Sequence, residues 1–275
     1  RRALCRAYIP PEREKKVSLR EEEKTKIEEI IKKSLLSKLE NYKPETSSMP
    51  FHYRLLGKDR MVLYSFIQSL NTAFGTSIFE PIAGVIAGFK FPVVRRQFEI
   101  GNRMSQKAQE RIQNIIDELS VGSRVPNKEE EIEMRREVAR QGKEIKVKPF
   151  RVDLFLTDKN GFVHLFDLKT AKPNISEFKN YKRTLLEWVA IYLWEKPNAN
   201  LNSYIAIPYN PYEPQPYERW TMKGIIDTEK ELKVAKEFWD FLGGDGVYEE
   251  LLNCFERVGI ELRPQFDAYF SRFRN

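Results

Sequence analysis

At 275 residues, 41% of them hydrophobic, the chain is long enough to bury a full core as one large domain, or as a catalytic domain with a smaller helical part, and it is not a peptide-sized module. Lysine and arginine outnumber aspartate and glutamate by 47 to 40, and the pI near 9.2 favours a polyanionic partner, although the excess is modest for the length. Two distant cysteines, Cys5 and Cys254, exclude a thiolate metal cluster, His52 and His164 give zinc chemistry and His-centred triads little support, and no apolar run is long enough to span a bilayer. That cysteine usage fits a reducing cytosol best, and no signal peptide is evident at the start.

The first 50 residues form a highly charged, helical N-terminal segment, and residues 51–275 are expected to form the main domain. Within the segment, Leu19 to Leu39 carries Ile27, Ile30, Ile31, Leu35, Leu36 and Leu39 at helical spacing. That amphipathic helix is expected to pack on the body of the protein or on a second subunit. Asn41 to Pro50 reads as a linker. Phe51 to Lys90 is more apolar, and Leu63, Phe66, Ile67 and Leu70 predict a core-facing helical stripe. In Thr76 to Ala83 one acid, Glu80, stands among apolar neighbours; the residues alone fit a solvent-facing helix end equally well.

Phe91 to Leu119 interleaves Arg95, Arg96, Arg103, Lys107 and Arg111 with Gln97, Asn102, Gln106 and further Gln and Asn residues. Arginine with Gln and Asn is the vocabulary of phosphate and base-edge contacts, so Arg95, Arg96, Asn102, Arg103 and Lys107 are candidate DNA-facing residues. From Gln109 onward a polar helix face is an equally good reading. The charged block Lys128 to Arg140 predicts an exposed helix whose charges serve solvation.

Arg151 to Asn174 is the most informative stretch. Phe150 to Leu156 is rich in β-formers, Asp158-Lys159-Asn160-Gly161 is turn chemistry, and Phe162 to Leu168 resumes the strand pattern. Folding the hairpin there brings Asp153 and Asp167 opposite each other and places Lys169 on the same strand face as Asp167. Two neighbouring carboxylates repel and are stabilised by a hard divalent cation such as Mg2+. A lysine beside them can orient or deprotonate a water and offset charge on a phosphate. Asp-x-Lys alone is common on solvated strand faces; here both charges sit between apolar residues, where idle charge is expensive.

After the hairpin, Lys172, Lys179, Lys182 and Arg183 form a basic cluster placed to grip a backbone, with Asn174 beside it. Ser176 can cap a helix running through Leu185, Leu186, Trp188, Val189, Ile191 and Tyr192, and Ser203 to Pro208 predicts a buried strand. Tyr209 to Trp220 is a proline-rich aromatic loop that holds Asn210, Gln215 and Arg219, either to read bases or to pack on the body. Gly243-Gly244-Asp245-Gly246 lacks the ending of a phosphate-binding loop and reads as a turn between helices. Val247 to Phe273 predicts helices that cap the fold or make a dimer contact.

Asp153 followed by Asp167-Leu168-Lys169 resembles the PD-(D/E)xK signature of Mg2+-dependent nucleases, with Val152 where the family usually has a proline that is not a ligand. The continuation Lys169-Thr170-Ala171-Lys172-Pro173-Asn174, with Tyr209 to Trp220 and Phe238 to Gly246, is similar to Type II restriction endonucleases of the TdeIII and MjaII kind. The resemblance runs from about Phe51 to the C-terminus. It implies a mixed α/β fold in which helices flank a central mixed sheet, with helical N- and C-terminal additions. It also implies Mg2+-dependent cleavage of double-stranded DNA at a specific site, for which it suggests GGNCC, leaving 5′-phosphate and 3′-hydroxyl ends. Asp153 and Asp167 are then the metal ligands and Lys169 positions the water. Many such enzymes use a further helical carboxylate, which the resemblance carries to Glu80, with Glu99 and Glu110 as other candidates. A homodimer, a cognate methyltransferase and a prokaryotic cytoplasm complete the expectation. Two alternatives remain open: a repair or junction nuclease with the same chemistry, and a non-catalytic DNA-binding protein whose hairpin charges make salt bridges.

Overall fold

A computed structural model describes residues 19–44, 49–169, 177–218 and 222–273. Helix α1 (Glu21–Asn41) begins where Glu23 accepts the Arg20 backbone N–H at 2.9 Å, and it buries Ile27, Ile31, Leu35 and Leu39 as one i,i+4 row. Next come α2 (Pro50–Leu56), α3 (Lys58–Ala73), one π-helical stretch (Phe74–Phe79) and α4 (Glu80–Ala87). The long strand β1 (Val93–Ser105) leads into α5 (Gln106–Ser120), capped by the Ser105 hydroxyl on the Ala108 N–H, and then α6 (Lys128–Val138). Strands β2 (Glu144–Thr157) and β3 (Val163–Leu168) form the hairpin, followed by α7 (Phe178–Glu195), β4 (Leu201–Ile207) and β5 (Leu232–Val234). The chain closes with α8 (Lys236–Gly243), α9 (Val247–Glu261) and α10 (Arg263–Ser271).

The strands form one mixed sheet in the order β1-β2-β3-β4-β5. The first three are antiparallel and the last three parallel, α7 supplying the crossover that a parallel β3–β4 pair requires. One apolar core joins the sheet to α5, α6 and α7; a second joins it to α1, α4, α8 and α9. This is the expected mixed α/β architecture with flanking helices. Gly101, at φ 133, lets β1 close on α7, because a Cβ there would meet Ile191 Cγ2 at 3.0 Å. Among the described residues no helix is long and apolar enough to cross a membrane.

Two expectations need correction. In α3 the buried face is Met61, Val62, Ser65 and Phe66, while Leu63 and Ile67 are about half exposed. Apolar residues lie on two sides of this helix, so a four-residue stripe was ambiguous. In α6 the charges do not all serve solvation: Lys128, Glu131 and Arg135 are buried. Lys128 Nζ pairs with Glu231 at 2.9 Å and donates to Ser203 Oγ at 2.7 Å, and Lys182 from α7 bridges Glu131 and Glu231, each at 2.6 Å. Burial alone would push the Glu231 carboxyl up, but Lys128 and Lys182 outweigh it and hold the pKa below the usual range. Desolvation pushes the Arg135 guanidinium down to about 10. This ionic cluster ties α6 to α7 and to the chain entering β5.

Candidate active site

The hairpin turn fixes the register on which the site depends. Asp158 Oδ1 accepts the N–H groups of Asn160 (2.8 Å) and Phe162 (2.9 Å), and Gly161 takes φ 79, which disfavours a Cβ. From this turn Thr157 faces Val163 and Leu154 faces Phe166. One further step along the register puts Asp153 across from Asp167. On the other side of β2, Arg96 faces Leu154 and Phe98 faces Val152, so Gln97 lies across from Asp153. A row of Gln97, Asp153 and Asp167 therefore crosses three strands.

Hydrogen bonds lock that row. Asp153 Oδ2 accepts the Leu168 N–H at 2.7 Å, and Asp167 Oδ1 pairs with Lys169 Nζ at 2.8 Å. The Lys169 backbone N–H donates to Ala206 O at 2.9 Å, and its ammonium lies 4.9 Å from the centre of the Tyr181 ring. Gln97 Nε2 donates to Glu80 Oε2 at 2.9 Å and to Asp153 Oδ1 at 3.1 Å, which joins the first turn of α4 to the sheet. Gln97 does this from a left-handed backbone, φ 49, an uncommon and costly conformation for a residue with a Cβ. Thus Glu80 is not a solvent-facing helix end; it is buried and beside the hairpin acids.

The electrostatics follow from burial. Desolvation, reinforced by Asp153 and only partly offset by Lys169, raises the pKa of Asp167 to about 6. Glu80 is also raised, chiefly by desolvation, with the Gln97 hydrogen bond opposing and Asp153 adding to the rise. Burial works against the Lys169 ammonium, but Asp167 and Asp153 outweigh it, so that its pKa is raised. A cleft of about 590 Å³ opens beside Lys169, lined among others by Asn71, Thr72, Phe74, Phe79 and Tyr209. The π-helical stretch forms part of this wall, a position such distortions favour.

The remaining candidates divide. Arg95 and Arg96 are exposed on either side of the row's edge, Arg95 over the Phe98 ring and Arg96 against Gly84. Half-buried Asn102, exposed Arg103 and exposed Lys107 lie farther along β1 and into α5, Arg103 on the order of 20 Å from Gln97 at strand rise. Arg103 pairs with Glu144 at 3.3 Å and Lys107 with Glu110 at 2.8 Å. Glu110 is therefore engaged away from the acids, and Glu99 is exposed opposite Arg151, so the structure brings neither to the site. Lys179 is exposed, and Arg183 donates to Gln113 Oε1 at 2.7 Å. Lys182 is a correction: wholly buried between Glu131 and Glu231, it cannot grip DNA. Asn210 staples its own loop, donating to Gln215 O at 2.7 Å and accepting the Tyr212 N–H at 3.0 Å, while Gln215 is exposed. Lys172, Asn174 and Arg219 lie outside the described residues. Sequence reasoning missed Gln97 as a site residue; it stood in the Arg/Gln/Asn run, with nothing local to separate it from its neighbours.

Asp153 and Asp167, with Glu80 nearby, offer hard oxygen donors. Among the described residues no group of three His, Cys, Asp or Glu side chains is close enough to cage a metal ion. Two carboxylates with space for water suit a cation that keeps much of its hydration shell, as Mg2+ does. Desolvation, with Asp153 beside it, disfavours the ionised Asp167, and such a cation would relieve that.

A family model described as Type II restriction endonuclease, HinfI, matches residues 19–259. The chain is 28% identical to the Type II restriction enzyme MjaII of Methanocaldococcus jannaschii, over 90% of this chain and 72% of that protein. It is 29% identical to the Type II restriction enzyme HgiCII of Herpetosiphon aurantiacus, over 77% of each chain. To HgiEI, a Type II restriction enzyme of the same organism, it is 26% identical over 81% of this chain and 82% of that one.

Proposed function

The chain belongs to the HinfI family of Type II restriction endonucleases, site-specific deoxyribonucleases, and we propose that it cuts duplex DNA by the Mg2+-dependent chemistry of the PD-(D/E)xK signature, with Asp153, Asp167, Lys169 and Glu80 as its working residues. The observation that carries this reading is the convergence of those four side chains, from the β2–β3 hairpin and a helix start, with a cleft opening at Lys169. The family is one of site-specific nucleases, so neither a junction nuclease nor a non-catalytic DNA-binding protein is favoured.

Asp153 and Asp167 would hold Mg2+, with Glu80 assisting from α4. Bound there, the ion would polarise the scissile phosphate and lower the pKa of an attacking water. Asp153 is held in place by the Leu168 N–H, which leaves Oδ1 toward Gln97 and Glu80. Lys169 stays charged beside the two aspartates; its ammonium orients the attacking water and offsets charge developing on the phosphate. Attack in line with the departing 3′ oxygen leaves 5′-phosphate and 3′-hydroxyl ends. Arg95, Arg96, Lys179 and Arg183 are the exposed or half-buried cations left to contact the backbone near the site.

We further infer GGNCC as the target, on the resemblance to enzymes of the TdeIII and MjaII kind. Cutting both strands at such a site calls for two active sites related by a twofold axis, hence a homodimer. A cognate methyltransferase would protect the host's own sites in a prokaryotic cytoplasm.

Incubation of the protein with long unmethylated duplex DNA and Mg2+, beside a Ca2+ control, tests the proposal. Discrete fragments whose sequenced ends fall within GGNCC are expected. Discrete fragments ending at another sequence would overturn the target alone, whereas a smear or intact DNA would overturn the reading.

A further inference from the structure

We propose that the face formed by α2 and α3 is the surface through which two copies of this chain associate. The inference rests on the nuclease reading for its biological purpose, but its evidence is separate. Helix α2 has no buried residue, and Phe51 and Leu55 are each 82% exposed. A seven-residue helix is not stable in water without packing. Helix α3 buries Met61, Val62 and Phe66 on one side and leaves Leu63, Tyr64 and Ile67 exposed at 46%, 48% and 49% on another. A helix apolar on opposed sides is suited to be covered twice, and the described residues of one protomer cover it once.

The size of the patch favours a protein partner. With Leu56 at 41%, six of the exposed apolar and aromatic side chains on α2 and α3 present on the order of 600 Å². That is at the upper end of what a monomer leaves uncovered and approaches the roughly 800 Å² each partner contributes to a standard interface. Apolar side chains gain little from a phosphate backbone, so DNA is a poor occupant. A second copy is the fitting one, because a twofold contact needs a self-complementary patch and an apolar helix pair is self-complementary.

The position agrees. The same helix runs without a break into the π-helical stretch and Glu80, and Asn71 and Thr72 near its end line the cleft beside Lys169. From Leu63 to Asn71 is about 12 Å along a helix. A twofold axis through the patch therefore holds two clefts within about one turn of duplex, roughly 34 Å.

The test is molar mass in solution, by light scattering after gel filtration, without DNA or Mg2+. Wild type is expected at twice 32.5 kDa. Leu55→Asp and Ile67→Glu should each weaken dimerisation on the order of 30-fold or more and run as monomers at micromolar concentration. Leu252→Asp, at a half-exposed position on α9, should remain dimeric. Leu55 is too exposed for its substitution to unfold the protomer, so a dimeric Leu55→Asp protein would overturn the proposal, as would a monomeric wild type. If both masses come out as expected but no form cuts DNA, the interface stands and the nuclease reading fails. The monomeric variants should nick supercoiled plasmid where wild type linearises it.

Discussion

At Asp167 the burial that makes the residue useful also makes it expensive. Its pKa in the folded state, about 6, lies above the ordinary carboxylate value of 3.8. A raised pKa means that folding favours the protonated form. The associated stability is present below pH 4 and lost as pH rises through 6. At pH 8 and without metal, Asp167→Asn should therefore be more stable than wild type, on the order of 1–3 kcal/mol, and lose that advantage below pH 4. Mg2+ should raise the melting temperature of wild type and not of the variant. A metal-free variant that melts below wild type at pH 8 would contradict this. Gln97 permits a second prediction. Gln97→Ala removes the amide that bridges Glu80 to Asp153 while keeping a Cβ on the same backbone, so the Mg2+ concentration for half-maximal cleavage should rise about 5- to 10-fold, about 1–1.4 kcal/mol. An unchanged Mg2+ requirement would show that the bridge has no role in metal binding. Asp153, Asp167 and Lys169 were legible in the sequence because one hairpin brings them together; Gln97 was not, since its partners lie 17 and 56 residues away.

At the level of elements, turn chemistry and strand period were sufficient to place β2 and β3, and the i,i+4 row of α1 was readable for the same reason. What local pattern could not show was burial conferred by a remote partner. Lys182 sits between exposed Lys179 and half-buried Arg183, yet it is buried because Glu131 lies 51 residues before it and Glu231 lies 49 after. Removing it takes from buried Glu131 its ammonium partner and leaves Glu231 with Lys128, so Lys182→Ala should cost about 3–5 kcal/mol in chemical denaturation. A loss below 1 kcal/mol would mean the cluster is not closed in solution. On β3, His164 lies among Phe91, Phe162, Tyr204 and Phe241, and desolvation pushes its pKa down to about 4 from an ordinary 6.5. Folding favours the neutral ring, so its contribution is present above pH 6.5 and lost as pH falls to 4. His164→Gln should flatten the stability profile between those limits by about 2–3 kcal/mol, whatever its stability at pH 7. Parallel profiles for the two proteins would refute the assignment.

Across the whole molecule, the sheet gathers contributions from distant parts of the chain into one row across three strands. The hairpin supplies two acids and a lysine, β1 supplies the bridging amide, and α4 supplies a third acid at the end of the helix that carries the exposed apolar face. Sequence periodicity found the apolar residues of α3 but assigned all of them to one core, because it cannot distinguish a face covered within the protomer from one left for a second copy. The central claim is that this row performs hydrolysis and that Lys169 acts beside it without being needed for DNA binding. The measurement that tests it most directly is single-turnover cleavage of a short duplex containing the site, with Mg2+, for wild type and Lys169→Ala, alongside binding of the same duplex in Ca2+. Loss of at least about 1,000-fold in cleavage rate, with duplex binding in Ca2+ within a few-fold of wild type, is the predicted result. A Lys169→Ala protein that cuts at close to the wild-type rate would contradict it.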